Sequence, residues 1–167
     1  MSRRLVLVRH AKTVSAAASD AERPLTERGR RQASLLGTRL AEQRLGVTHA
    51  LVSPAVRARE TWSGVAAGLD GATHELVDDL YVATPDDVLS AVRTSGSVAD
   101  TLVVVGHNPT IADLAWLLAG DVPGGAYDEL RSGGYSPSTT TLFAAESEWE
   151  DVDQTSLGLI GYIPPLA

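Results

Sequence analysis

Four short apolar runs, each followed by a longer segment of different period, constrain this chain more than any other feature. LVLV (5–8), HALVS (49–53), HELV (74–77) and TLVVVGH (101–107) read as strands. Between them, apolar residues recur at helical spacing. Ala33, Leu36 and Leu40 do so after Thr26, and Ala58, Trp62, Val65, Ala66 and Leu69 do so after Pro54. TPDDVLSAVRT (84–94) and NPTIADLAWLLAG (108–120) complete the series of helices. Ser53-Pro54, Thr84-Pro85 and Asn108-Pro109 each place a capping side chain before a proline, as a helix start does. Strand–helix alternation repeated four times implies an α/β fold. It is expected to be a three-layer α/β/α sandwich, a mostly parallel sheet with helices on both faces and an antiparallel edge strand. After Gly120 the sequence is turn-rich up to a strand at 138–147, and a last strand is expected at 157–163. The Ala-rich stretch 14–22 has no period and is expected to be a loop over the end of the first strand. With 167 residues and no linker or repeat, one domain over 1–167 is expected.

In open parallel sheets, ligands bind at the carboxyl ends of the strands. The first strand ends in Arg9-His10 and the second runs into Ser53-Pro54, with Arg57 in the next helical turn. The fourth ends in Gly106-His107-Asn108. His49 and His74 precede their strands and belong to the opposite edge. The chain carries a formal net charge of −7, so attraction to nucleic acid or an anionic membrane is not expected. Grouped arginines in such a chain instead mark a local anion site, because the guanidinium fork matches phosphate oxygens. A neutral, oriented imidazole is a nucleophile near pH 7. The constellation therefore reads as phosphoryl transfer through a histidine, with arginines stabilising the transferred group. There are no cysteines, which excludes disulfides and thiolate chemistry. Two histidines could hold a metal, yet Arg9 beside His10 repels a cation and no third ligand has suitable spacing. No metal and no cofactor are expected. No apolar run approaches the roughly 18 residues of a membrane span, and a soluble cytoplasmic protein is expected.

Leu7-Val8-Arg9-His10-Ala11 resembles the signature of the histidine phosphatase superfamily, also called phosphoglycerate mutase-like. So do Arg23-Pro24-Leu25-Thr26-Glu27-Arg28-Gly29, the run from Val52 to Thr61, and Val105-Gly106-His107-Asn108-Pro109. The blocks occur in the family's order over roughly two thirds of the chain. The compact length and the Arg-Pro-Leu-Thr block resemble the short bacterial branch that includes protein phosphohistidine phosphatases. The resemblance implies that His10 is the phosphorylated nucleophile, that Arg9 and Arg57 grip the phosphate and that His107 stabilises the transition state. Arg23, and beside His107 also Asn108, would bind substrate. The family's Gly after the histidine is Ala11 here. Longer members carry a Glu general acid after the third strand, where this chain offers Glu75, Asp78 and Asp79; Asp79 is the expected acid. A phosphohistidine leaves as an imidazole and depends less on such an acid. The expected substrate is therefore a phosphorylated protein carrying phosphohistidine. The alternatives are a small phosphorylated metabolite, handled by a phosphomonoesterase or phosphomutase, and a non-catalytic module that binds phospho-ligands.

Arg28, Arg30, Arg31 and Arg59 are expected on exposed helix surfaces, Trp62 and Trp116 in the core, and Ser53 as a helix cap.

Overall fold

A computed structural model describes residues 3–167, without the side chains at 47, 48 and 96, so Met1 and Ser2 of the expected domain lie outside the described residues. The elements follow the expected alternation. They are β1 (Arg3–Arg9), α1 (Glu27–Glu42), β2 (Val47–Val52), α2 (Val56–Ala66), β3 (Thr73–Leu76), α3 (Pro85–Ser95), β4 (Thr101–Gly106) and α4 (Thr110–Ala119). After them come α5 (Gly125–Gly133), β5 (Thr140–Ala145) and β6 (Leu157–Ile163). One six-stranded sheet has the order β3-β2-β4-β1-β5-β6. β1, β2, β3 and β4 pair in parallel. The antiparallel pairing expected at one edge is β5 against β1 and the edge strand β6 against β5.

The central strands are apolar on both faces because helices cover both, whereas β3 at the sheet edge is exposed throughout. Leu5, Leu7, Leu51, Leu102 and Val104 point to one side, where they pack with residues of α3, α4 and α5. Val6, Val8, Ala50, Val52, Val103 and Val105 point to the other, against Leu36 and Leu40 of α1 and Ala58, Trp62 and Val65 of α2. The period of two thus divides each strand between two cores. On the second face α1 and α2 meet backbone to backbone. A Cβ added at Gly37 would lie 2.4 Å from the Val65 carbonyl oxygen, and one at Gly68 would lie 2.8 Å from the Gly37 carbonyl carbon.

Three local expectations are corrected. The turn-rich stretch after Gly120 contains α5, flanked by Gly124 and Gly134 at φ 108° and 68°. It buries only Leu130 fully, so it leaves no apolar stripe in the sequence. Of the three proline-led helix starts, Thr84-Pro85 forms the expected cap. Thr84 Oγ1 accepts from the Asp87 N–H at 3.2 Å, and Asp87 Oδ2 accepts from the Thr84 N–H at 2.8 Å. α2 instead begins at Val56, three residues past Ser53, and α4 begins at Thr110 with Asn108 accepting from the Ala112 N–H at 3.2 Å. Trp62 is core at 3% exposure, whereas Trp116 is 37% exposed, edge-on to Tyr127.

Because the α1–α2 contact is made by backbone, Gly37→Ala must push the helices apart. A destabilisation of about 1–3 kcal/mol is expected in denaturant melts, and an unchanged midpoint would contradict this packing.

Candidate active site

Parallel pairing of β1 with β4 sets Arg9 opposite Gly106, so the next residue on each strand, His10 and His107, emerge side by side. The His10 N–H donates to the Gly106 carbonyl at 3.0 Å, and the two rings lie 5.3 Å apart between centroids. β2 lies on the other side of β4, and the Ser53 N–H continues its ladder onto the Val105 carbonyl at 3.1 Å. This brings Ser53 Oγ within 2.7 Å of His107 Nε2. Ser53 therefore holds a histidine, which corrects its expected role as a helix cap. His10 Nδ1 lies 2.8 Å from the Ala11 carbonyl. A carbonyl only accepts, so Nδ1 carries the proton and Nε2 keeps its lone pair.

The loop that carries His10 is fastened by the other sequence blocks. The Ala11 N–H donates to Thr61 Oγ1 (2.9 Å), the Lys12 N–H to Gln32 Oε1 (3.0 Å) and the Leu25 N–H to Glu60 Oε2 (2.7 Å). From the far side, the segment after α5 closes on β1. The Ser138 N–H reaches the Arg9 and His10 carbonyls at 3.1 and 3.0 Å, and the Tyr135 hydroxyl donates to the Leu7 carbonyl at 2.9 Å. The Tyr135 carbonyl accepts both Arg9 Nη1 at 3.0 Å and Asn108 Nδ2 at 2.9 Å.

Arg57, in the first turn of α2, is 5% exposed, and His10 and His107 are 6% and 8% exposed. Arg57 donates to the Asp20 carbonyl at 2.7 Å and to Asp20 Oδ2 at 3.0 Å. Arg23 pairs with Asp20 Oδ1 through Nε at 3.0 Å and Nη2 at 2.9 Å. The Tyr81 hydroxyl donates to the same carboxylate, and its ring stands 5.7 Å from that of His107 and 5.9 Å from the Arg57 guanidinium carbon. Three buried nitrogens in this cluster lack a partner: Nε of Arg9, Nε of Arg57 and Nδ1 of His107. The two arginine nitrogens are orphaned donors, costly unless an acceptor arrives, and an anion supplies one.

Burial pushes the His10 pKa down to about 4, and the cations Arg57, Arg9 and Arg23 lower it further against the opposing Ala11 contact. His107 is lowered to about 3, first by burial and then by Arg57. Both rings are neutral at pH 7. The Asp20 carboxyl is held well below the usual carboxylate range, first by the Tyr81 hydroxyl and then by Arg57 and Arg23.

The structure brings together Arg9, His10, Arg57, His107 and Arg23. It does not bring in Asp79. After β3 the chain turns through a 3₁₀ segment, Asp78–Leu80, and Asp79 is exposed in a groove with Glu75, Val77 and Asp87. The residue that this turn delivers to the site is Tyr81. Asn108 lies beside the site, where its Nδ2 donates to the Tyr135 carbonyl at 2.9 Å and its Oδ1 accepts from the Ala112 N–H at 3.2 Å. His49 and His74 sit on the β2–β3 side, where His49 Nδ1 bonds Thr73 Oγ1 at 2.8 Å and His74 stands near Trp62. Arg28, Arg30, Arg31 and Arg59 are exposed. Sequence reading missed Asp20, Tyr81 and Tyr135. For Asp20 a signal existed, since it lies three residues before Arg23 in a Ser19-x-x-Glu22 turn whose side chains bond at 2.9 Å. Among the described residues, no helix is long and apolar enough to cross a membrane, and no group of three metal-ligating side chains occurs.

A doubly wound sheet with two neutral histidines and clustered arginines at its carboxyl edge defines a phosphate-handling enzyme of the histidine type. Residues 5–81 match the profile of the histidine phosphatase superfamily, branch 1. An uncharacterized Mycobacterium tuberculosis protein, Rv1276c, is 34% identical over 161 residues, which is 95% of this chain and 99% of that protein. A Nakamurella multipartitia structure named as a phosphohistidine phosphatase, SixA, superposes with a TM-score of 0.88 at 32% identity, covering 100% of this chain and 98% of that one. A protein histidine phosphatase SixA complexed with tungstate shares the fold, with a TM-score of 0.78 at 21% identity and 97% of both chains covered. The chain belongs to the histidine phosphatase superfamily, in its SixA-like branch, and is a phosphatase.

Unfolded histidines take up protons near pH 6.5, whereas His10 and His107 do so only near 4 and 3. The unfolded chain therefore binds more protons below pH 6.5, and stability falls as pH drops from about 7 towards 4. NMR titration of the free protein is expected to keep both rings neutral down to pH 5; a midpoint near 6.5 for either would contradict the burial described here.

Proposed function

We propose that the chain is a metal-independent cytoplasmic phosphatase that hydrolyses phosphohistidine on proteins through a phosphorylated His10. The observation that carries this reading is the His10 ring itself, neutral, with Nδ1–H tied to the Ala11 carbonyl and the Nε2 lone pair free. Arg9 and Arg57 offer buried guanidinium nitrogens with no acceptor, and these suit the oxygens of a phosphoryl group. His10 Nε2 attacks phosphorus while the bond to the substrate's leaving nitrogen breaks. The arginines and His107 hold the charge spread over the equatorial oxygens. Water then attacks the phosphohistidine, the P–Nε2 bond breaks towards the ring, and phosphate leaves with the water's protons. Guanidinium charge takes the part that a metal plays elsewhere.

The substrate class is supported from two sides. The Nakamurella relative is named for phosphohistidine. In addition, the carboxyl at the site, Asp20, is held ionised and has no proton to offer an alkoxide. A phosphohistidine whose ring carries its own proton needs none, which favours it over a stable sugar phosphate.

After incubation with a phosphohistidine protein and an alkaline denaturing quench, the wild type is expected to retain an alkali-stable, acid-labile phosphate. His10→Ala is expected to retain none and to lose turnover by on the order of 10³-fold or more. Unchanged turnover in His10→Ala would refute the mechanism. Chelator is expected to leave the rate unchanged, and a rate abolished by chelator would refute metal independence.

A further inference from the structure

Asp20 is a carboxylate inside an anion site, and its position orders the site from inside to outside. The side chain of Arg57 is 6% exposed and that of Asp20 is 53% exposed. His10 and His107 lie with Arg57 on the inner side. Tyr81, partly exposed, stands beside Asp20 and against His107. Phosphoryl transfer places the attacking and leaving atoms in line on opposite sides of phosphorus. Attack by His10 Nε2 from the buried side would send the leaving group to the more exposed side, that of Asp20 and Tyr81. Arg57 engages Asp20 through its two terminal nitrogens and leaves Nε unpartnered, so one guanidinium can serve carboxylate and phosphoryl together.

Resting on the phosphohistidine reading above, we propose that Asp20 is a specificity residue: its fixed carboxylate, backed by Tyr81, selects phosphoryl donors whose leaving group is a protonated nitrogen base and disfavours those that leave as oxyanions. The charged and titratable groups around it are Arg23 and Glu22 on its own segment, Arg57 from α2, Tyr81 after β3 and His107 after β4. A substrate imidazolium bearing the phosphoryl group presents an N–H to this carboxylate, which favours the protonated form above the ordinary imidazole pKa of about 6.5. His10 Nε2 then attacks, the P–N bond breaks, and its electron pair returns to the substrate nitrogen, which leaves as neutral imidazole. The positive charge passes to the His10 ring, which keeps its Nδ1 proton, so the step balances without an external acid. An alkoxide or phenolate departing at the same place meets a like charge.

The test compares wild type, Asp20→Asn and Asp20→Glu on a phosphohistidine peptide and on p-nitrophenyl phosphate, whose leaving group is an anion. For Asp20→Asn at pH 8, kcat/KM on the phosphohistidine peptide is expected to fall about 10- to 100-fold, as loss of a charge-assisted hydrogen bond implies. On p-nitrophenyl phosphate it is expected to rise. The deficit narrows at pH 5.5, where solvent protonates the substrate ring and His10 is still neutral, and Asp20→Glu restores part of the preference. Parallel losses on both substrates would mean a structural or proton-donating role, and parallel gains a simple anionic plug; either overturns the proposal. If the wild type forms no phosphoenzyme on His10 with either substrate, the phosphohistidine reading fails and Asp20's role with it. If the phosphoenzyme forms but Asp20→Asn keeps the wild-type substrate ratio, only the role of Asp20 fails.

Discussion

The pairing of β1 with β4 is the constraint on which the rest of the structure depends. Six consecutive residue pairs, ending with Arg9 opposite Gly106, deliver two histidines from segments almost a hundred residues apart into one site. A one-residue slip would turn every β1 side chain to the other face and separate the rings. That register is secured on both sides, because the faces of β1 carry different side chains into different cores. Beyond the strand end it is secured again by Thr61, Gln32 and Glu60 below and by Ser138 and Tyr135 across. The sequence blocks around the site thus serve two purposes. Some residues line the proposed phosphoryl site, and more of them hold the loop that carries His10.

Electrostatics explains why the site is built of neutral rings and partly satisfied cations. Burial is the largest cause keeping His10 uncharged, and the nearby arginines reinforce it. The arginines in turn cannot be left bare inside an acidic protein without a counter-ion, and Asp20 supplies one from the rim. What remains unsatisfied on Arg9 and Arg57 is donor capacity, which suits the oxygens of the proposed phosphoryl group.

Much of this was legible in the chain. β1 and β4 could be read because each holds a continuous apolar run, and the helices of the first 120 residues because each buries a stripe. Arg9, His10, Arg57 and His107 could be read because strand ends in a parallel sheet share one edge. α5 could not, since its one full anchor is Leu130 and its ends are glycines that look like turns. Asp79 was misplaced because sequence distance from β3 does not say how a 3₁₀ turn rotates the next residues; it presents Tyr81 to the site and Asp79 to α3. Asp20 lies in a stretch without period: its local pairing with Arg23 is legible in the Ser19-x-x-Glu22 turn, whereas its long-range pairing with Arg57 of α2 leaves no trace in the sequence.

In the proposed mechanism the nitrogen of His10 that attacks phosphorus is selected by the proton on the other one, held by the Ala11 carbonyl. Phosphorus-31 and proton–nitrogen NMR of the denatured, alkali-quenched phosphoenzyme distinguishes the two isomers of phosphohistidine. A single species with phosphorus on Nε2 of His10 is expected. Phosphorus on Nδ1, or on any other side chain, would contradict it.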